Sequence, residues 1–97
     1  MLSAVIRSFA DSETERLFVT GKSRRLGSDV LDRAKRKLQF LDSATDVMDL
    51  ASPPGNRLEA LRGGRQGQHS IRINEQFRIC FRWNDGDAYE VEVTDYH

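Results

Sequence analysis

One cysteine, two histidines, two prolines and one tryptophan are all that 97 residues contain of these types, and fifteen basic side chains are cancelled by fifteen acidic ones. Cys80 alone cannot close an internal disulfide, which agrees with a reducing compartment and makes the cytoplasm the expected address. No stretch approaches the roughly 18 apolar residues that cross a bilayer, and the start from Met1 to Arg7 lacks the basic region and long apolar run of a signal peptide. No membrane association is therefore expected. With only His69 and His97 present, and no HExxH or CxxC spacing, a metal site is not expected either. Gly63-Gly64 and Gly67 lie between strand-like segments and open no helix, so they make no nucleotide loop, and no cofactor is expected. A net charge of zero leaves no global field to attract nucleic acid.

What the chain does have is local segregation of charge. Lys22, Arg24, Arg25, Arg33, Lys35, Arg36 and Lys37 form one basic stretch, and Arg57, Arg62, Arg65, Arg72, Arg78 and Arg82 form an all-arginine set. Acids gather at Asp11 to Glu15, at Asp42 to Asp49 and from Asp85 to Asp95. A solvated mixed surface and an RNA-binding surface both fit such a basic stretch. The length suits one domain over residues 1–97, and 31 % charged against 38 % apolar residues implies a modest core beneath a charged shell.

The strong break is Ser52-Pro53-Pro54-Gly55, which divides a helical half from a strand half. Before it, Val5 to Phe9 reads as a short first strand. Ser12 with Glu15 reads as a capping box opening a helix that Gly21 stops. A longer helix starts at Ser28 or Asp29, with Val30, Leu31, Ala34, Leu38 and Leu41 along one stripe and Arg33, Lys35, Arg36 and Lys37 mostly outside it. After the prolines the period falls to two. His69 to Ile73, Phe77 to Trp83 and Ala88 to Thr94 alternate as three strands of an antiparallel meander. The expected class is α/β (α+β), with two N-terminal helices packed on one face of a small, mainly antiparallel sheet.

Parity gives the register, because a slip of one residue would put the apolar set on the wrong face. Placing Phe77, Ile79, Phe81 and Trp83 on one face with Tyr89, Val91 and Val93 requires an odd loop around Asp85-Gly86, for example three residues with a glycine bulge. The Asn74-Glu75 turn puts Ile71 and Ile73 on that same core face, and His69 shares their parity as a strand-end residue. The opposite face then carries Ser70, Arg72, Arg78, Cys80, Arg82, Glu90, Glu92, Thr94 and Tyr96. Arg82 opposite Glu90 reads as a cross-strand ion pair. Arg72 and Arg78 should face each other, an arrangement that is unfavourable unless an anion lies between them, and a phosphodiester suits their planar donors. His97 ends the chain beside Tyr96, where a terminal residue would ordinarily fray.

Taken together, Pro53-Pro54-Gly55-Asn56-Arg57-Leu58-Glu59-Ala60-Leu61-Arg62-Gly63, Gly67 to Asn74, Phe77 to Trp83 and Gly86-Asp87-Ala88-Tyr89 to Asp95-Tyr96-His97 resemble the HigB family of RelE-like toxins. Ile6-Arg7-Ser8-Phe9 and the helical half take part, so the likeness covers nearly the whole chain. It implies a RelE-like fold and a type II toxin-antitoxin module whose toxin is a ribosome-dependent, metal-independent mRNA endoribonuclease. The implied partners are a HigA-like helix-turn-helix antitoxin, the ribosome with its mRNA, and operator DNA only through the antitoxin. By the same resemblance Arg78 is the phosphate-stabilising arginine, and Tyr96 and His97 are the tail pair implicated in catalysis. Arg62 stands where a characterised member has a lysine, and Glu59 where it has a histidine. A carboxylate can do a base's work if its pKa is raised. The expected catalytic set is Arg78, Tyr96, His97, Arg62 and Glu59, and the expected RNA-binding set is Arg72, Arg82, Lys35, Arg36 and Lys37. Two other readings share this sequence: a ParE-like poison of DNA gyrase, and a catalytically weak module acting in an autorepressing complex with antitoxin and operator.

Overall fold

Helix α1 (Ser12–Thr20) and helix α2 (Ser28–Asp42) form where the apolar spacing places them, and the computed structural model describes residues 4–95. The cap of α1 falls one residue earlier than the sequence pattern implies. Asp11, not Ser12, is the N-cap, and its carboxylate accepts from the Thr14 amide at 2.6 Å. Gly21 closes the helix in the left-handed region at φ 76°, donating its amide to the Leu17 carbonyl at 2.8 Å. In α2 the stripe holds: Ala34, Leu38 and Leu41 are buried, with Val30 and Leu31 packed at its margin.

Four strands follow, β1 (Glu59–Ala60), β2 (Gln68–Arg72), β3 (Phe77–Asn84) and β4 (Asp87–Asp95), in the spatial order β1-β2-β3-β4 and antiparallel throughout. The expected meander is therefore present, with a short fourth strand at its edge. Segment 5–9 is not a strand of the sheet. It runs parallel to β4 through two isolated bridges, Ile6 to Ala88 and Phe9 to Val91, and shields that outer edge.

The loop between β3 and β4 departs from the parity argument. Asn84 pairs with Asp87, so Asp85 and Gly86 make a two-residue turn, both at positive φ (53° and 83°). Parity is restored inside β4, where a bulge at Glu90, itself at φ 53°, inserts one residue between the Arg82–Tyr89 and Cys80–Glu92 pairs. Ala88 accordingly packs in the core, Val91 and Val93 return to it, and Tyr89 lies beside Arg82 on the other face. The bulge is held from outside the sheet: the Glu90 amide donates to the Ser8 hydroxyl at 2.9 Å and the Val91 amide to the Ser8 carbonyl at 3.1 Å.

The core lies between the helices and this face, with Leu17, Leu38, Leu41, Leu50, Ile71, Ile79, Phe81 and Val91 inaccessible or nearly so. His69 belongs to the same side, stacked on Phe81 with ring centroids 6.1 Å apart, and so is remote from the arginine-bearing face. Polar groups tie the layers: the buried Thr14 hydroxyl of α1 accepts from the Val93 amide at 3.0 Å, and the partly buried Asp42 at the end of α2 accepts from the amides of Val5 and Ile6.

Candidate active site

The face turned from the helices is not the open surface that alternation alone suggests. Residues 61–66 cross over it, and Arg65 reaches from this crossing to Glu92 on β4 at 3.1 Å while also donating to Gln68 at 3.0 Å. The Glu92 carboxylate accepting this bond raises the Arg65 pKa further above its ordinary value. Beneath the crossing Ser70, Cys80 and Arg78 are buried.

Arg78 is the centre of the arrangement. Its side chain is 7 % exposed, its Nε donates to the Ser70 hydroxyl at 2.8 Å, and its Nη2 donates to the Arg57 carbonyl at 2.8 Å and faces Glu59 Oε1 at 3.2 Å. Arg57 can offer that carbonyl because it takes the left-handed conformation, φ 47°, where the short 3-10 turn Pro54–Asn56 ends. Arg72 is the direct cross-strand partner of Arg78, as the parity argument expects, and its Nε donates to the Asn74 carbonyl at 3.1 Å. Glu59, 46 % exposed on edge strand β1, sets a carboxylate against the Arg78 member of this pair.

Two cavities meet at Arg78. One, of about 370 Å³, is lined by Arg62, Arg65, Ser70, Cys80 and Thr94, whose buried hydroxyl has no hydrogen-bond partner among the described residues. The other, of about 440 Å³, is lined by Arg57, Glu59, Arg72 and Glu75. A cationic guanidinium forming the common wall of two cavities, fixed by a serine hydroxyl and a backbone carbonyl, is preorganised to receive an oxyanion.

The sequence-derived site residues separate into groups on this framework. Arg78, Glu59, Arg62 and Arg72 come together around the two cavities. Arg36 and Lys37 line an adjoining groove with Arg57 and Arg72. Lys37 is pushed below the ordinary lysine pKa by burial and then by Arg36 and Arg33, and its ammonium donates to the buried Asn56 side chain. Lys35 and Arg82 stand elsewhere. Lys35 lies across Gly21 at the end of α1, and Arg82 is paired with Glu90 at 2.8 Å and packed so closely over Gly67 that a Cβ there would meet its Nη1 at 2.7 Å. Tyr96 and His97 lie outside the described residues. Sequence reasoning gave no site role to Ser70, Arg57, Asn56 or Arg33. Each carried a partial signal: Arg33 within the basic stretch, Ser70 on the parity of Arg72 and Arg78, and Asn56 and Arg57 as polar residues directly after a Pro-Pro-Gly turn.

Comparison with known proteins agrees in sequence and in fold. Residues 7–97 match the family described as the RelE-like toxin of the type II toxin-antitoxin system HigB. Toxin HigB-1 of Vibrio cholerae serotype O1 is 43 % identical over 89 residues, covering 91 % of this chain and 94 % of that protein. Endoribonuclease HigB of Proteus vulgaris is 33 % identical over 93 residues, 96 % of this chain and 100 % of that protein. Among solved structures, a chain of the YoeB-YefM complex from Staphylococcus aureus superposes with a TM-score of 0.56 at 14 % identity, covering 97 % of this chain and 99 % of that one. At that identity the likeness concerns the fold.

Proposed function

We propose that this chain, which belongs to the HigB-like family of RelE-like toxins of type II toxin-antitoxin systems, is a single-domain endoribonuclease that cuts mRNA on the ribosome. The observation that carries the reading is the placement of Arg78: a buried guanidinium, oriented by Ser70 and Arg57, between two cavities.

In the proposed reaction the RNA 2′-oxygen attacks the adjacent phosphorus. The new O2′–P bond forms as the P–O5′ bond breaks, leaving a 2′,3′-cyclic phosphate and a 5′-hydroxyl. Negative charge accumulates on the non-bridging oxygens of the five-coordinate phosphorus, and Arg78, aided by Arg72 and Arg62, stabilises it. The 2′-hydroxyl proton leaves to Glu59 or His97, and a proton is returned to O5′ as it departs. Glu59 is already on the Arg78 guanidinium, so the entering phosphate displaces it from the cation and frees it to accept a proton. Tyr96 stacks on or orients the splayed nucleotide. So few acid-base groups place much of the catalytic burden on alignment, which the ribosome supplies by holding the mRNA.

The proposed regulator is a HigA-like helix-turn-helix antitoxin, which carries the complex to operator DNA, and the proposed compartment is the cytoplasm. Among the described residues no helix is long and apolar enough to cross a membrane. Primer-extension mapping of mRNA after brief induction tests the reading, with end-group analysis of the fragments. New breaks ending in 2′,3′-cyclic phosphate, suppressed when the antitoxin is co-expressed, are expected. Growth arrest with intact mRNA would refute it.

A further inference from the structure

Beyond the two cavities at Arg78 lies a larger groove of about 930 Å³ between α2 and the turn joining β2 to β3. Arg33, Arg36 and Lys37 project into it from one flank of α2, being spaced i, i+3 and i+4, and Arg57 and Arg72 approach from the opposite wall. Against these five cations Glu75 is the single acid on its wall among the described residues. Phe40 and Pro53 supply an apolar side. Nothing in the proposed chemistry at Arg78 calls for such a concentration of positive charge at this distance from the scissile bond.

We propose that this groove is a binding site for single-stranded RNA, holding the backbone phosphates of the substrate strand that flank the phosphate at Arg78. The inference rests on the endoribonuclease reading and extends it from one phosphate to a strand. Continuity is the first argument. Arg57, Arg72, Asn74 and Glu75 line both this groove and the cavity that reaches Arg78, so a chain entering one passes into the other. Composition is the second argument, because cations along a channel with an aromatic ring on its wall match a phosphate backbone whose bases stack on Phe40. Arginine forks suit phosphate oxygens better than the scattered carboxylates of an acidic peptide. Like charges add a third. Burial first, and then the neighbouring Arg36 and Arg33, disfavour the protonated form of Lys37, and a polyanion in the groove relieves the part due to repulsion.

The site divides the basic residues of α2. Arg33, Arg36 and Lys37 belong to the strand path, while Lys35, lying over Gly21 beside α1, does not. Binding of a short 2′-O-methyl oligoribonucleotide, which cannot be cleaved, tests this by fluorescence anisotropy across a range of salt. Arg33→Glu/Arg36→Glu should lose at least roughly tenfold in affinity, and its log-log salt slope should be shallower by about 1.4, from about 0.7 per lost single-strand contact. Arg33→Gln/Arg36→Gln should fall between that variant and the parent. Both arginines are exposed, so the fold should keep its thermal midpoint, and Arg24→Glu, on the loop before α2, controls for net charge. Unchanged affinity and slope would overturn the proposal. So would a variant that binds the oligonucleotide normally but has lost affinity for mRNA-free ribosomes, which gives the groove to ribosomal RNA, or for the antitoxin, which gives it to an acidic protein segment. Because the probe is uncleavable, absence of ribonuclease activity in the parent refutes the enzymatic reading separately.

Discussion

Replacing Arg78 by alanine tests the chemistry and the packing at once, and the structure says how much each should lose. The partners the guanidinium would lose include Ser70 and the Arg57 carbonyl, each hydrogen-bonded to it, and Glu59 in an ion pair. Ser70 is fully buried and loses its donor, so each lost bond costs about 1 kcal/mol. Glu59 is 46 % exposed and returns to water, which leaves its share small. A total near 2–3 kcal/mol still leaves a folded domain if the parent lies within the usual range of about 5–15 kcal/mol. Catalysis should suffer more. Losing one preorganised donor to the developing oxyanion costs roughly 3–4 kcal/mol, or about 10²- to 10³-fold in rate. Arg78→Lys keeps the charge but cannot serve the serine, the carbonyl and a phosphate together, so it should recover stability more than rate. Cleavage of a defined mRNA on purified ribosomes, followed by primer extension beside a thermal melt of each variant, measures both. A folded Arg78→Ala protein cutting at the parent's rate would refute the assignment of this residue.

Three further changes probe neighbouring features. Arg82→Ala removes a pair in which both side chains are about half exposed, so it should cost roughly 0.2–1 kcal/mol and alter ribosomal cleavage by no more than a few-fold; a loss as large as that of Arg78 would place Arg82 in the site after all. Asn56→Ala strips a buried amide that donates to the Leu50 and Ser52 carbonyls and accepts from Lys37, and should destabilise by about 2 kcal/mol, seen as roughly 8–16 °C in the thermal midpoint. Deleting Tyr96 and His97 should abolish cleavage while antitoxin binding persists, and His97→Gln separates proton transfer from positioning; full activity in the deletion would move the chemistry away from Tyr96 and His97, whereas inhibition of gyrase by the intact protein would favour a ParE-like toxin.

Much of this arrangement was legible because its signals are local. The apolar stripe marks α2, Gly21 marks the end of α1, and alternation from Phe77 to Trp83 marks β3. A tight turn around Asn74, whose side chain accepts from the amides of Gln76 and Phe77, was enough to set Arg72 opposite Arg78. The β3–β4 register failed where parity was assumed to be fixed by the loop. A glutamate at φ 53° has no compositional mark, and the bulge it makes is held by Ser8, some eighty residues earlier in the chain. Tyr89 was misplaced for that reason, while Val91 and Val93 were not.

Burial of Arg78 was illegible for a related reason. Alternation assigns a residue to a face but cannot say what lies over it. The crossing of residues 61–66 is fastened by Arg65 to Glu92, and the Arg57 carbonyl is aimed by a backbone conformation that follows a proline-rich turn. An arginine carried into such a place costs free energy unless its donors are met, and a serine hydroxyl, a carbonyl and a carboxylate meet them here. The carboxylate differs from the other two. Ser70 and the Arg57 carbonyl are fixed within the fold, whereas Glu59 stands half-exposed on a two-residue edge strand and can move away without unpacking the core. An entering phosphate therefore meets a cation already oriented and desolvated, and can displace the exposed carboxylate of Glu59. That asymmetry, fixed neutral partners and a movable anion, allows Arg78 to be held firmly in the folded protein and still be available to substrate.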